Sequence, residues 1–198
     1  IRTRMAGPLA EDYSNYAADI ATAGEHLLAL IDDLADLEVV EAASFPTAPD
    51  RSELGDVARR AAGILGVRGQ EKGMQIETPP ETTHVMAIGE FRRVLQVLIN
   101  LLGNAIRYAP SGSRVTLSVG GAEGRSWVSV TDEGPGLSND QQVAIFEKFE
   151  RLGRTGDGGS GLGLYISRRL ARAMGGELSV RSDLGEGACF TLELPAST

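Results

Sequence analysis

One segment restricts the possible folds more than any other. Residues 90–107 place Val94, Leu95, Leu98, Leu101, Leu102, Ala105 and Ile106 at helical spacing, with no Pro and one internal Gly. A helix with that much apolar surface is stable only when most of it is covered. Yet Gln96, Asn100, Asn104 and Arg107, at steps of four, four and three, put a polar stripe along one face. A solvated stripe would ordinarily be Glu, Lys or Gln, because Asn is a mediocre helix former. The segment is therefore read as a core helix with one polar line reserved for something other than water.

The pattern around it supplies the cover. Val115, Leu117 and Val119 alternate with Thr116 and Ser118, the signature of a half-buried strand. Further strands are expected at 74–78, 85–88, 126–132, 177–182 and 188–194. Helices are expected at about 52–70, with Ser52 as N-cap, at 139–146, and from 163 to 174. Helices alternating with neighbouring strands predict an α/β, two-layer sandwich: a mixed five-stranded sheet with about three helices on one face.

Residues 9–42 read differently. Tyr13, Tyr16, Ile20, Ala23, Leu27, Leu30, Leu34 and Leu37 recur at steps of three and four, the narrow seam of a helical bundle. Such a seam implies a partner helix, either from an upstream segment or from a second copy. Pro46 and Pro49 then break the helix. The expected division is a bundle segment at 1–43, a linker at 44–51 and a globular domain at 52–196.

Net charge is −8 with a pI near 4.8, which argues against a nucleic-acid backbone as main partner, since phosphate neutralisation needs clustered Lys and Arg. It leaves room for a nucleotide whose phosphates meet backbone amides and a cation. One cysteine, Cys189, cannot form an intrachain disulfide, so the composition suits a reducing cytoplasm. No apolar run approaches the roughly 18–20 residues needed to span a bilayer. The chain opens at Ile1 rather than Met and is expected to be a piece of a longer protein, so any membrane attachment would lie in segments outside it.

Three local patterns carry chemistry. Asn100 and Asn104, one turn apart, offer neutral oxygens suited to a hard divalent cation that already brings phosphate oxygens. In Asp132-Glu133-Gly134-Pro135-Gly136, Asp132 shares parity with apolar Val128 and Val130, so its carboxylate extends a core-facing row and needs a donor. An adenine amine would serve, and Gly134 and Gly136 allow close approach of a flat ligand. Gly158-Gly159-Ser160-Gly161-Leu162-Gly163-Leu164 opens a helix, where exposed amides and the helix dipole favour phosphate. It follows no strand directly, which excludes a Rossmann reading, and the chain has no GxxxxGK[ST]. Phe146 and Phe149 flank a charged, Gly-rich stretch and are read as anchors of a mobile lid, with Arg151 beside them.

Taken in order, these pieces resemble the catalytic domain of bacterial sensor histidine kinases. The run 100–108 looks like the N box, 132–136 the G1 box, 145–151 the F box and 159–164 the G2 box. Residues 27–37 are similar to the second helix of the dimerisation and phosphotransfer region. The resemblance implies a Bergerat ATP-binding fold binding ATP and Mg²⁺. Asn104 with Asn100 would hold the metal, Asp132 would read the adenine amine, and Tyr108 would lie near the base. Arg107 and Arg151 would face the phosphates, and Gly159, Gly161 and Gly163 would hinge the lid. Gly134, Gly136, Phe146, Phe149, Leu162 and Leu164 complete the implied nucleotide-binding set, and Asn104, Arg107 and Arg151 the catalytic one.

The implied enzyme is an ATP-dependent protein-histidine kinase, homodimeric through its N-terminal helix, in the cytoplasm, passing phosphate to a response regulator receiver domain. The family's phosphoacceptor box is not in this sequence: Arg4 stands where its Pro is expected, and the two histidines, His26 and His84, lie elsewhere. This chain is thus expected to bind ATP without phosphorylating itself. A non-catalytic signalling adaptor built on the same fold is the alternative. Gyrase, mismatch-repair and heat-shock chaperone ATPases of the same superfamily are disfavoured by the F box and the preceding bundle helix.

Overall fold

The structure is a computed structural model of the 198-residue chain. It describes residues 50–150 and 160–197, together with Tyr13, Tyr16, Ala17, Ile20, Ala21, Gly24 and Ile31. Those seven are helical, and Tyr13, Tyr16 and Ile20 of the expected seam are 68, 65 and 73% exposed. Ala23, His26 and the seam leucines lie outside the described residues, as does the linker up to residue 49.

From residue 51 the elements are β1 (Arg51–Glu53), α1 (Leu54–Glu71), β2 (Gln75–Glu77), β3 (Met86–Ile88) and α2 (Phe91–Tyr108). There follow β4 (Arg114–Ala122), β5 (Arg125–Asp132), α3 (Asn139–Ala144), α4 (Gly163–Ala173), β6 (Glu177–Ser182) and β7 (Ala188–Pro195). The main sheet has order β2-β4-β5-β7-β6, with β2 parallel to β4 and the other pairs antiparallel. This is the expected mixed five-stranded sheet.

Cross-strand register explains the layer. Leu117, Val130, Phe190 and Val180 form one row, and Val119, Val128, Leu192 and Leu178 the next. Both rows face α1, α2 and α4, whose Leu54, Val57, Leu98, Leu101, Leu102 and Leu170 are almost fully buried. The alternate rows, such as Thr116, Thr131 and Cys189, occupy the other face. Burial of the one apolar face against three amphipathic helices is the main stabilising term, at about 25 cal/mol per Å² removed from water.

One expectation is corrected. Ser52 does not cap α1. It sits in β1, buried, and donates its hydroxyl to Gly89 O at 2.7 Å. The N-cap is Glu53, whose carboxylate accepts from the Gly55 and Asp56 amides at 2.9 and 2.7 Å. The short strand expected at 85–88 is β3, which pairs with β1 in a separate two-stranded sheet.

Candidate nucleotide site

The site lies where the core-facing side of the sheet runs out. The last row is Val115, Asp132, Ala188 and Ser182, so Asp132 follows Val128 and Val130 on the face turned to the helices. It is 8% exposed, and its Oδ1 accepts from Gly134 N at 2.8 Å. Burial holds its carboxyl above the ordinary carboxylate range, against the opposing pull of the Gly134 and Ala188 amides. Because a proton binds the folded state more tightly here, stability falls as pH rises from the ordinary carboxylate value through the raised one. A buried carboxylate perturbed in this way and lying in a cleft is a candidate ligand-binding group.

The turn after Asp132 is stitched to the β6–β7 hairpin. Gly185 N donates to Pro135 O at 2.8 Å, and Leu137 N to Ser182 Oγ at 2.8 Å. Gly136 has φ +69°, and a Cβ there would collide with the Asp183 carbonyl.

Beside it α2 contributes the polar stripe. An open-sided cleft of ≈ 660 Å³ is lined by Asn104, Tyr108, Asp132 and Glu150, with apolar walls from Pro135, Leu137, Ile145, Leu164, Ala188 and Phe190. A mostly apolar slot with few convergent polar groups is the usual form of a small-molecule site. Asn104 and Tyr108, Asp132 and Gly136, and Leu164, three separate stretches of sequence, thus meet around one space.

Other expected residues stand around it rather than in it. The Asn100 carboxamide is turned toward α4, where its Nδ2 donates to Ser167 Oγ at 3.0 Å. Arg107 is exposed, and its carbonyl, like that of Ile106, accepts from Lys72 Nζ, which ties down the end of α2. Phe146 is buried, with the Arg168 guanidinium 4.6 Å above its ring and Arg168 held by Glu177 at 2.8 Å. Phe149, by contrast, is 63% exposed at φ +63°, and its amide donates to Gly161 O at 3.1 Å. That bond brings the end of the F-box-like run against Gly161, Leu162 and Gly163 at the start of α4. The Leu162 N-cap of α4 makes no side-chain capping bond. Arg151 and Gly159 lie outside the described residues. His84 is exposed and precedes β3.

Sequence reasoning missed Glu150, Ala188 and Phe190 as lining residues. The last two face the cleft only because β7 pairs with β5 in the register Asp132↔Ala188 and Val130↔Phe190.

The donor chemistry suits a magnesium ion shared with phosphate. Among the described residues no three His, Cys, Asp or Glu side chains cluster as a self-sufficient cage. Mg²⁺ characteristically takes one or two protein oxygens and completes its shell with water and phosphate oxygens, which the carboxamide of Asn104 at the edge of an open-sided cleft allows.

Residues 89–198 match the family described as Histidine kinase-, DNA gyrase B-, and HSP90-like ATPase, and the chain belongs to that family. Its relatives within the family are sensor kinases, and its domain is a histidine-kinase-type ATPase catalytic domain. It is 33% identical over 98% of its length to the histidine protein kinase DivJ of Caulobacter vibrioides, and 31% identical over 97% to the circadian input-output histidine kinase CikA of Synechococcus elongatus. The crystal structure of full-length ShkA in complex with AMPPNP superposes with a TM-score of 0.78 at 32% identity, over 97% of this chain and 40% of that one. The chain spans only 33% of DivJ and 26% of CikA. No helix among the described residues is long and apolar enough to cross a membrane.

Lowering the pH through the raised Asp132 range should weaken nucleotide binding. An adenine amine donating to the Asp132 carboxylate would favour the charged form, and protonation would compete with it. Asp132→Asn should flatten that dependence. A pH-independent affinity in the unaltered chain, measured calorimetrically, contradicts a contact to Asp132.

Proposed function

We propose that the chain is the catalytic core of a sensor histidine kinase, in which residues 52–196 bind ATP and residues 1–43 are part of a dimerising phosphotransfer helix pair. The observation that carries this reading is the convergence of Asn104, Tyr108, Asp132 and Leu164 on one cleft. Asp132 accepts from the adenine amine, Tyr108 and the apolar walls hold the ring, and the amides opening α4 meet the phosphates with the help of the helix dipole. Mg²⁺, held through Asn104 and Asn100, would neutralise charge on the phosphate oxygens. Arg107 would flank the phosphate end, and the family resemblance gives the same role to Arg151, which lies outside the described residues. The γ-phosphoryl group passes in line to an imidazole nitrogen of a histidine outside this chain, ADP leaves, and a response regulator carboxylate takes the phosphoryl group next. Catalysis is mostly positioning and charge stabilisation. The exposed seam residues Tyr13, Tyr16 and Ile20 support a homodimer through the N-terminal helix.

In a longer chain that includes the preceding helix, γ-labelled ATP should label an upstream histidine. Label should persist in His26→Ala and vanish in Asn104→Ala. Loss of label in His26→Ala with dimerisation preserved would move the acceptor to His26. Absence of label under all conditions, with ATP still bound, would favour an adaptor over an enzyme.

A further inference from the structure

We propose that Ser167 is a positioning residue for the metal end of the nucleotide site, fixing the Asn100 carboxamide between α2 and α4 so that its oxygen is the free end. The inference rests on the functional reading above, in which Asn100 is a magnesium ligand.

Asn100 lies one turn before Asn104 on α2. Its side chain meets α4 at two positions four residues apart, which therefore share one face of that helix. At the first, Gly163, a Cβ would collide with Asn100 Oδ1, so the absent side chain is what admits the carboxamide. At the second, Ser167 Oγ accepts from Asn100 Nδ2 at 3.0 Å. Ser167 is 2% exposed and shares the buried face of α4 with Ile166, Leu170 and Ala171. A buried hydroxyl in such surroundings needs a partner, and Asn100 provides one.

A carboxamide has one donating and one accepting end. With Nδ2 engaged by Ser167, Oδ1 is left against Gly163, the end of α4 whose next residue, Leu164, lines the cleft. In the reversed orientation the NH₂ group would take that place and present hydrogens, not lone pairs, to a cation. The bond to Ser167 and ligation through Oδ1 thus favour the same rotamer. The same contact ties α2 to the first turns of α4, directly after the glycine segment. Groups that orient a metal ligand from behind commonly set metal affinity about as strongly as some ligands do.

The test titrates Mg²⁺ against the chain at a fixed concentration of a non-hydrolysable ATP analogue, with binding followed by calorimetry and stability by thermal melting. Ser167→Ala should raise the Mg²⁺ concentration for half-maximal binding about tenfold. Its affinity for the analogue without metal should stay at the wild-type value. Ser167→Thr, which keeps the hydroxyl, should restore the wild-type Mg²⁺ requirement. Asn100→Ala should shift it by at least as much as Ser167→Ala, and the double variant no further than Asn100→Ala alone. If Asn100→Ala shifts the requirement and Ser167→Ala does not, or if Ser167→Ala weakens metal-free and metal-bound nucleotide equally, Ser167 is only a packing residue and the proposal is overturned. If Asn100→Ala itself leaves the requirement unchanged, the ligand reading of Asn100 fails and the role of Ser167 falls with it. The double-variant comparison stays decisive even if Ser167→Thr melts early.

Discussion

Asn104→Ala should weaken Mg·ATP binding by about a hundredfold or more while leaving the melting temperature close to wild type. The asymmetry follows from where the residue stands. Asn104 lines the cleft from a half-buried position on α2, between Leu101 and Leu102 on one side and Ala105 and Ile106 on the other, all of which keep their packing. Ala is the better helix former by a few tenths of a kcal/mol, so the helix loses nothing. On the proposed function, what disappears is an oxygen ligand for the magnesium that meets the phosphate charge. Asn104→Asp should fail differently: it keeps the size and brings a negative charge to the phosphate end, with the largest loss in low salt. Calorimetry on the two variants checks both, and an unchanged affinity removes Asn104 from the site.

Gly187→Ala is expected to be, like Gly136→Ala, among the most destabilising single methyl groups that can be added near the cleft. Gly187 has φ +78°, and a Cβ there would drive into the Asp132 carbonyl on the neighbouring strand. The left-handed backbone costs an L-residue about 1–2 kcal/mol, and forcing strands apart in a packed region adds about 1–3 kcal/mol. A loss of about 3 kcal/mol would lower the melting temperature by roughly 6–12 °C in a chain of this size. Gly112→Ala is the control, since Gly112 has φ +80° but nothing within 4 Å of its missing Cβ. It should show the conformational penalty alone. Equal melting points for the two variants would mean that the Gly187–Asp132 contact is not as tight as described. Because Gly187 abuts the carbonyl of Asp132 itself, Gly187→Ala should also loosen adenine recognition in whatever fraction stays folded.

The parts of this molecule that were legible in the sequence are those fixed by local periodicity. The α2 helix could be read because its apolar positions and its Asn stripe have the same 3.6-residue period, and the observed Phe91–Tyr108 differs from the expected range by a residue at each end. Asp132 could be placed on the core face from parity alone, and the register with Val115 and Ala188 agrees. Capping chemistry was less legible. Ser52 is the better N-cap by residue preference, but its hydroxyl is taken by Gly89 O from 37 residues away, and Glu53 caps instead with two backbone amides.

Register and tertiary pairing were not legible at all. Ala188 and Phe190 reach the cleft through strand pairing across more than 50 residues. Asn100 meets Ser167 across 67, a contact that no spacing in either helix announces. Phe149 followed the same logic in reverse. Its spacing from Phe146 suggested paired anchors, but the backbone turns left-handed at Phe149 and leaves that ring largely exposed while Phe146 is buried beneath Arg168. A left-handed non-glycine residue cannot be foreseen from composition, since it depends on tertiary contacts such as the bond from its amide to Gly161 O.

Amide hydrogen exchange, followed by mass spectrometry with and without a non-hydrolysable Mg·ATP analogue, tests the central claim most directly. Slowed exchange should appear together in 104–109, 132–137, 161–165 and 187–190, at one common nucleotide concentration, with the open sheet face of β4 and β6 unchanged. Protection confined to one of these segments, or reached at different concentrations in different segments, would mean that they do not enclose a single nucleotide.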